Sequence, residues 1–273
     1  RAARRAGVPY VVRPLGQLDE WSLSQHAWRK QAFLAFGARG LVERAAALHW
    51  TDESERRRAP RFAADRPSFV APLGVDERLF EESGAGEREA VVLFLSRLHQ
   101  KKNVEALIDA FASLGEDADG WRLVVAGDGE KAYVASLRSR AAATGRPVDF
   151  VGWLTGEQKA LALRSASLFV LPSMQENFGI VVAEAMAAGT PVAVSEEVAL
   201  ASAVARGEAG WVIPPGQGGL AAVLAEAIHS PAERRRRGDE ARSLAADRFR
   251  WKAVARALVD EYDRLVSQRR EEV

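Results

Sequence analysis

The sequence predicts an α/β fold, a doubly wound parallel sheet with a second, incomplete α/β part, and three observations predict it. From residue 88 onward, strand-like and helix-like stretches alternate every roughly 20–30 residues, the pattern of stacked βαβ units with right-handed crossovers. The strand-like stretches are continuous apolar runs, as in strands covered on both faces, and do not alternate apolar with polar. The chain has 273 residues, 48% hydrophobic and 27% charged, a globular balance and enough length for two domains or one large α/β unit.

Taken in order, Tyr10-Val11-Val12 reads as a short strand, Asp19 to about Trp50 as a long helical region, and Phe69-Val70 to Val75 as a second extended piece. These are too few strands for a doubly wound domain, so residues 1–80 are expected to be the rear of an α/β domain whose front is missing. Glu81–Glu89 is small, charged and glycine-containing, the composition of a linker. Residues 90–250 then hold a complete sheet domain. Strands are expected at Val91–Leu95, Leu123–Ala126, Val148–Val151, Leu168–Leu171 and Pro191–Val194. Between them fall a helix with Val104, Leu107, Ile108, Phe111 and Leu114 on one face, and helices at Lys131–Ala143, Glu157–Arg164 and Gly179–Ala188. Leu220, Val223, Leu224, Ala227 and Ile228 form one later stripe. Another runs from Trp251 through Val254, Ala255, Leu258, Val259 and Tyr262 to Leu265, in a final helix whose apolar face reads as core.

Composition narrows the chemistry. There is no Cys, which excludes thiol catalysis, disulfide scaffolds and Cys-held metal, and the four histidines His26, His49, His99 and His229 lack metal-site spacing. Lys and Arg number 38 against 37 Asp and Glu, a net charge of +1 that does not point to nucleic acid. No apolar run is long enough to span a membrane. Arg1–Arg5 lead into Gly7-Val8-Pro9-Tyr10, not into an apolar signal segment, so a cytoplasmic location is expected. The absence of an initial Met suggests a fragment or a processed start.

The densest chemical signal runs from Leu171 to Val192. A buried strand ends at Pro172, a loop carries Glu176, and a helix begins near Gly179. In open parallel sheets ligands sit beyond the strand carboxyl ends, and a helix amino end, with free N–H groups and a positive dipole, attracts phosphate. Glu184 lies about five residues into that helix, roughly 7–8 Å along its axis. Two carboxylates flanking a phosphate-attracting helix end suit the hydroxyls of a nucleotide sugar; the plain alternative is a solvated helix residue and a loop residue. A second signal, Ser96-Arg97-Leu98-His99-Gln100-Lys101-Lys102-Asn103, follows the first buried strand. Arg97 and Lys102 can converge on one anion there, whereas cations in an exposed first helical turn would oppose the dipole. Gly127-Asp128-Gly129 and Phe150-Val151-Gly152-Trp153-Leu154 close two further strands.

Together, SRLHQKKN, GDG, FVG and ENFGIVVAEAMAAGTPV resemble the retaining glycosyltransferases of family 4, which have the GT-B fold of two Rossmann-like domains. Glu176 and Glu184 match that family's E-x7-E motif. The resemblance implies that Arg97 and Lys102 hold the donor diphosphate, with Glu176 on the sugar near the reacting carbon and Glu184 on the ribose. It places Gly127, Asp128, Leu154, Asn177, Phe178, Gly179, Ile180 and Val181 around the donor, a UDP- or GDP-sugar, with no metal. Residues 90–250 would be the donor domain, and the helix from 251 to 273 would pack back on the N-terminal part. PYVVRPLGQLDEWSLSQ is similar to a segment that usually reads RPHG-x-LD, which puts Gly16 on the side of a sugar or lipid-linked sugar acceptor; Leu15 stands where relatives carry His. Val198–Ser202 replaces a usual Gly-Gly-x-x-Glu. The implied reaction is sugar transfer to a hydroxyl in cell-envelope or exopolysaccharide synthesis. A binding module without transferase activity is the alternative, and a glycoside hydrolase using Glu176 and Glu184 is a third reading. Arg56–Arg58 and Arg234–Arg237 are solvated helix faces or peripheral contacts with anionic lipid at the inner face of the membrane.

Overall fold

The structure, a computed structural model, describes residues 2–24, 27–81, 88–216 and 218–271. The chain divides into two compact units, Arg1–Gly74 with Trp251–Val273, and Val75–Arg250.

The smaller unit holds a three-stranded parallel sheet in the order β1 (Val11–Val12), β2 (Ala47–Trp50), β3 (Ser68–Val70). All four β2 residues are buried, and their alternation divides them between two clusters. Leu48 and Trp50 pack with Leu18, Val42, Ala45 and Ala63, while Ala47 joins Phe69 and Ala71. The continuous helical region expected over 19–50 is therefore corrected. Helices run Glu20–Ser24, Ala27–Phe33 and Arg39–Glu43, broken around Gly37 at φ 128°, and Ala47–Trp50 is a strand. A four-residue stretch such as Ala-Leu-His-Trp is too short for periodicity alone to distinguish strand from helix, and here burial on both faces decides it. The final helix, Trp251–Glu271, lays Leu258 and Leu265 on the second cluster and Tyr262 edge-on against Phe69. Its apolar stripe is thinner than the spacing predicts: Val254 is buried, but Trp251, Val259 and Tyr262 stay exposed.

The larger unit holds six parallel strands: β4 (Glu89–Leu95), β5 (Arg122–Ala126), β6 (Val148–Gly152), β7 (Ala166–Leu171), β8 (Val192–Ser195) and β9 (Gly210–Ile213). Their spatial order is β6-β5-β4-β7-β8-β9. Counted from β4 this is 3-2-1-4-5-6, the doubly wound order in which the chain reverses direction between β4 and β7. Both strands at that point are apolar runs for the expected reason: every β7 residue and the last five of β4 are buried. The helix Val104–Ser113 buries Val104, Leu107, Ile108 and Phe111, the face its periodicity marks.

The boundary between the units falls at 74/75, not at 80. Val75 donates to the Phe249 carbonyl at 2.9 Å and pairs with Arg250, whose guanidinium stacks on Phe80 at 4.0 Å. These contacts fasten residues 75–81 to the larger unit. Of the expected linker 81–89, residues 82–87 lie outside the described ones, and Glu89 already belongs to β4.

Candidate active site

Within the larger unit, a cavity of about 550 Å³ opens where the loops after β4, β6 and β7 meet, at the strand carboxyl ends beside the reversal point. Arg97, Lys102, Leu154, Glu176, Gly179, Ile180, Val181 and Glu184 all line it, joined by Lys159.

The loop after β4 is tied to its neighbour by two hydrogen bonds, Ser96 N–H to the Ala126 carbonyl at 3.1 Å and Leu98 N–H to the Asp128 carbonyl at 2.8 Å. A single 3-10 turn follows, Gln100–Lys102, in which His99 Nδ1 accepts the Lys101 N–H at 3.2 Å. Asn103 then takes a left-handed conformation, φ 56°. The turn sends the Lys102 side chain inward, where it is buried, and leaves Arg97 exposed at the rim. His99, exposed, serves the turn itself.

The loop after β7 is stitched to the segment after β8. Glu176 N–H donates to the Glu197 carbonyl at 3.0 Å, and Ala199 N–H donates to the Glu176 carbonyl at 3.1 Å. Val198–Ser202, the stretch that departs from the family pattern, thus supports Glu176 through its backbone. Gly179 follows at φ 77°, and a Cβ there would crowd Val198, Glu176 and Val182 at 3.2–3.4 Å, so glycine fits both the angle and the space. The helix Ile180–Ala187 begins at once. Val182 N–H turns back to the Gly179 carbonyl, while Ile180 and Val181, as first residues of the helix, have no carbonyl four residues earlier in it to satisfy their N–H groups. Those amides and the helix dipole give the cavity wall a fixed positive character.

Lysines hold both carboxylates. Lys102 Nζ donates to Glu176 Oε2, and Lys159 Nζ to Glu184 Oε1 at 2.6 Å, with Glu184 buried. Arg97 has no ion pair or side-chain hydrogen bond among the described residues. The cavity therefore presents three cations, two carboxylates and a helix amino end. Sequence reading missed Lys159, which sits one turn into the helix Gly156–Ser165. Its only available signal was a position on the first turn after the Phe150–Leu154 strand end.

Four expected donor residues do not line the cavity: Gly127, Asp128, Asn177 and Phe178. A Cβ on Gly127 would lie 1.9 Å from the Ser96 carbonyl oxygen, and one on Gly129 2.1 Å from that of Leu98. The GDG stretch is the place where two strand-end loops touch, and it sets the cavity wall from behind. Phe178 is buried edge-on against Phe249 at 5.8 Å. In the smaller unit the Gly16 amide, expected on the acceptor side, donates to the buried Glu55 carboxylate at 2.6 Å. Glu55 also accepts from the Thr51 amide and hydroxyl, so this N–H anchors its own loop.

Four arginines of the two clusters are ion-paired within the chain. Arg236 pairs with Glu208 and Glu233, Arg237 with Glu233, Arg56 with Glu53 and Arg58 with Asp19. Paired charges offer little to a lipid surface, and the expected membrane contact finds no support in them. Among the described residues no helix is long and apolar enough to cross a membrane, and no group of three or more His, Asp or Glu is placed to hold a metal ion.

The family described as Glycosyl transferases group 1 matches residues 75–244. A phosphatidyl-myo-inositol mannosyltransferase of Mycobacterium leprae is 34% identical over 174 residues, 63% of this chain and 46% of that protein. The chain spans about half the length of the curated relatives it matches. Among solved structures, sucrose-phosphate synthase from Thermosynechococcus elongatus superposes with a TM-score of 0.77 at 26% identity, over 96% of this chain and 69% of that one. HepE of Anabaena, solved with UDP-glucose, gives a TM-score of 0.80 at 22% identity, over 96% and 74%. The α/β fold with parallel sheets is thus similar to that of GT-B glycosyltransferases. The matched span covers the doubly wound unit from its first residue into the arginine-rich helix Pro231–Phe249, cavity included, and the chain belongs to the glycosyl transferases group 1 family.

Proposed function

We propose that the protein is a retaining glycosyltransferase of the family 4 type, moving a sugar from a UDP- or GDP-sugar to a hydroxyl acceptor without a metal. One observation carries this reading: the cavity at the sheet's reversal point gathers Arg97, Lys102 and Lys159 with Glu176 and Glu184 around the amino end of the helix Ile180–Ala187.

Breaking the bond from the sugar's anomeric carbon to the diphosphate builds negative charge on the leaving oxygen and oxocarbenium character on the sugar. Arg97 and Lys102, with the Ile180 and Val181 amides, are the groups to stabilise that charge, and their pre-arrangement makes them effective. Lys102 starts paired to Glu176. A diphosphate entering the cavity competes for the ammonium group and frees the carboxylate for sugar hydroxyls. Glu184 is set to grip the ribose, with Lys159 beside it. In the retaining step the bond from the anomeric carbon to the leaving phosphate breaks, the bond to the acceptor oxygen forms on the same face, and the acceptor's proton passes to the leaving phosphate. Glu176 positions the sugar. An acceptor built into the cell envelope or an exopolysaccharide, lipid-linked or free, fits the resemblance.

Turnover of UDP- and GDP-sugars, with calorimetry on the corresponding nucleotides, tests this. Arg97→Ala or Lys102→Ala should slow transfer about a hundredfold or more, since losing one such donor typically costs about 2.7–4 kcal/mol of barrier. Nucleotide binding without any transfer would support a binding module instead. Near-normal turnover in both variants would remove the two residues from the chemistry.

A further inference from the structure

A second cavity, about 450 Å³, lies in the same unit at the opposite edge of the sheet. Its floor is the amino ends of the central strands: Arg88 immediately precedes β4, Ser167 is the second residue of β7, and Gly189 and Pro191 precede β8. Its wall is the helix Pro231–Phe249, which supplies Arg234, Arg235, Asp239 and Arg242. That helix comes so close that a Cβ on Gly238 would lie 2.4 Å from the Gly189 carbonyl oxygen. The cavity is thus formed by close-packed elements, and four arginines face it with one carboxylate.

The arginines are oriented without being neutralised. Arg88 donates to the Arg164, Ala166 and Ala188 carbonyls and to Thr190 Oγ1, at 2.7–3.0 Å. Arg234 donates to the Ala227 and Ile228 carbonyls and lies over the Trp121 ring, and Arg242 donates to the Phe80 carbonyl. Arg235 is exposed and unpaired among the described residues. Carbonyl acceptors fix a guanidinium in place but leave its full charge, and among the described residues none of these four arginines is in an ion pair, Asp239 included. Their neighbours Arg236 and Arg237, on the other face of the same helix, pair with Glu233. Burial first, then the charge of Arg242, lowers the Arg88 pKa, while Asp239 acts to raise it.

We propose that this cavity is a second anion site, which takes the phosphate or diphosphate group of a small metabolite through Arg235 and Arg242, with Arg88 and Arg234 as the fixed positive background. Guanidinium forks converging in a half-enclosed polar cavity favour tetrahedral oxyanions over carboxylates because several oxygens can be met at once. Its position at the strand amino ends separates it from the carboxyl-end cavity, so a ligand here acts on the domain without competing for the donor.

Pyrophosphate titrated calorimetrically into the protein is the test, alongside sedimentation with phosphatidylcholine vesicles containing phosphatidic acid. The wild-type chain should bind two pyrophosphates. Arg235→Gln/Arg242→Gln should weaken one of them at least tenfold, and Arg235→Gln alone, at an exposed position, should weaken the same one with an unchanged melting curve. Arg97→Gln/Lys102→Gln should retain it. Pyrophosphate binding that depends on Arg235 assigns the site to a soluble phosphate; vesicle binding that depends on it, without pyrophosphate binding, assigns it to a lipid headgroup. Titrations and sedimentation indifferent to Arg235 and Arg242 would overturn the proposal.

Discussion

Replacing Lys159 by Met separates the two jobs the cavity gives that lysine, holding Glu184 and supplying positive charge. The ion pair is 2.6 Å long, with side chains 27% and 11% exposed. One-sided loss of a fully buried pair costs about 3–5 kcal/mol, whereas an exposed pair is worth about 0–1 kcal/mol. This pair lies between those limits, so Lys159→Met should destabilise the larger unit by about 1–3 kcal/mol, through a buried carboxylate left alone. Glu184→Gln strands the better-solvated partner and should cost less. The double variant should recover part of the loss, with a coupling of about 1–2 kcal/mol. Urea unfolding followed by far-UV circular dichroism at fixed salt reads the cycle. Ligand affinity should follow a different rule: UDP binding should weaken about tenfold in Lys159→Met, and Glu184→Gln should not restore it. Additive stability losses would refute the pair as drawn, and an unchanged UDP affinity would take Lys159 out of the site.

Other consequences follow from the same geometry. Gly127→Ala and Gly129→Ala place a methyl group within 1.9 and 2.1 Å of a carbonyl oxygen, so each should cost at least about 3 kcal/mol in denaturant unfolding. Ordinary stability in either would mean that the loops are not in contact. In the smaller unit, burial is the main cause lowering the pKa of His49, and Nε2 is hydrogen-bonded to the Ala71 carbonyl at 2.8 Å. The unfolded chain therefore takes up the proton first: stability is full above about pH 6.5 and falls as the pH drops below it toward the lowered native value. His49→Gln should flatten that fall between about pH 7 and 5 in thermal melts; an equal slope in both proteins would contradict it.

How much of this was legible in the sequence depends on the kind of signal each residue gives. The apolar runs of β4 and β7 and the face Val104–Phe111 are dictated by burial, which composition and period record directly, so the doubly wound unit could be read in order. Glu176, Gly179 and Glu184 were legible because helix amino ends and strand carboxyl ends have fixed chemistry. Lys159 was not, since a lysine on an ordinary helix acquires meaning only when the fold turns it toward Glu184. Phe178 and the GDG loop show a second job that dense motifs conceal: the Phe178 ring packs edge-on against Phe249, and Gly127 and Gly129 leave room for the Ser96 and Leu98 carbonyls. The Ala47–Trp50 strand was hidden because four residues, three apolar around His49, are too short to carry a period. The arginine run on the last helix of the larger unit gave no hint of which side chains are paired to Glu233 and which face the second cavity.

A crystal structure of the chain with UDP bound tests the central claim most directly. The account predicts the diphosphate against the Ile180 and Val181 amides, within hydrogen-bond reach of Arg97 and Lys102, with the Lys102–Glu176 contact opened and the ribose at Glu184. A nucleotide bound elsewhere, or a diphosphate that leaves both lysine–glutamate pairs untouched, would contradict it.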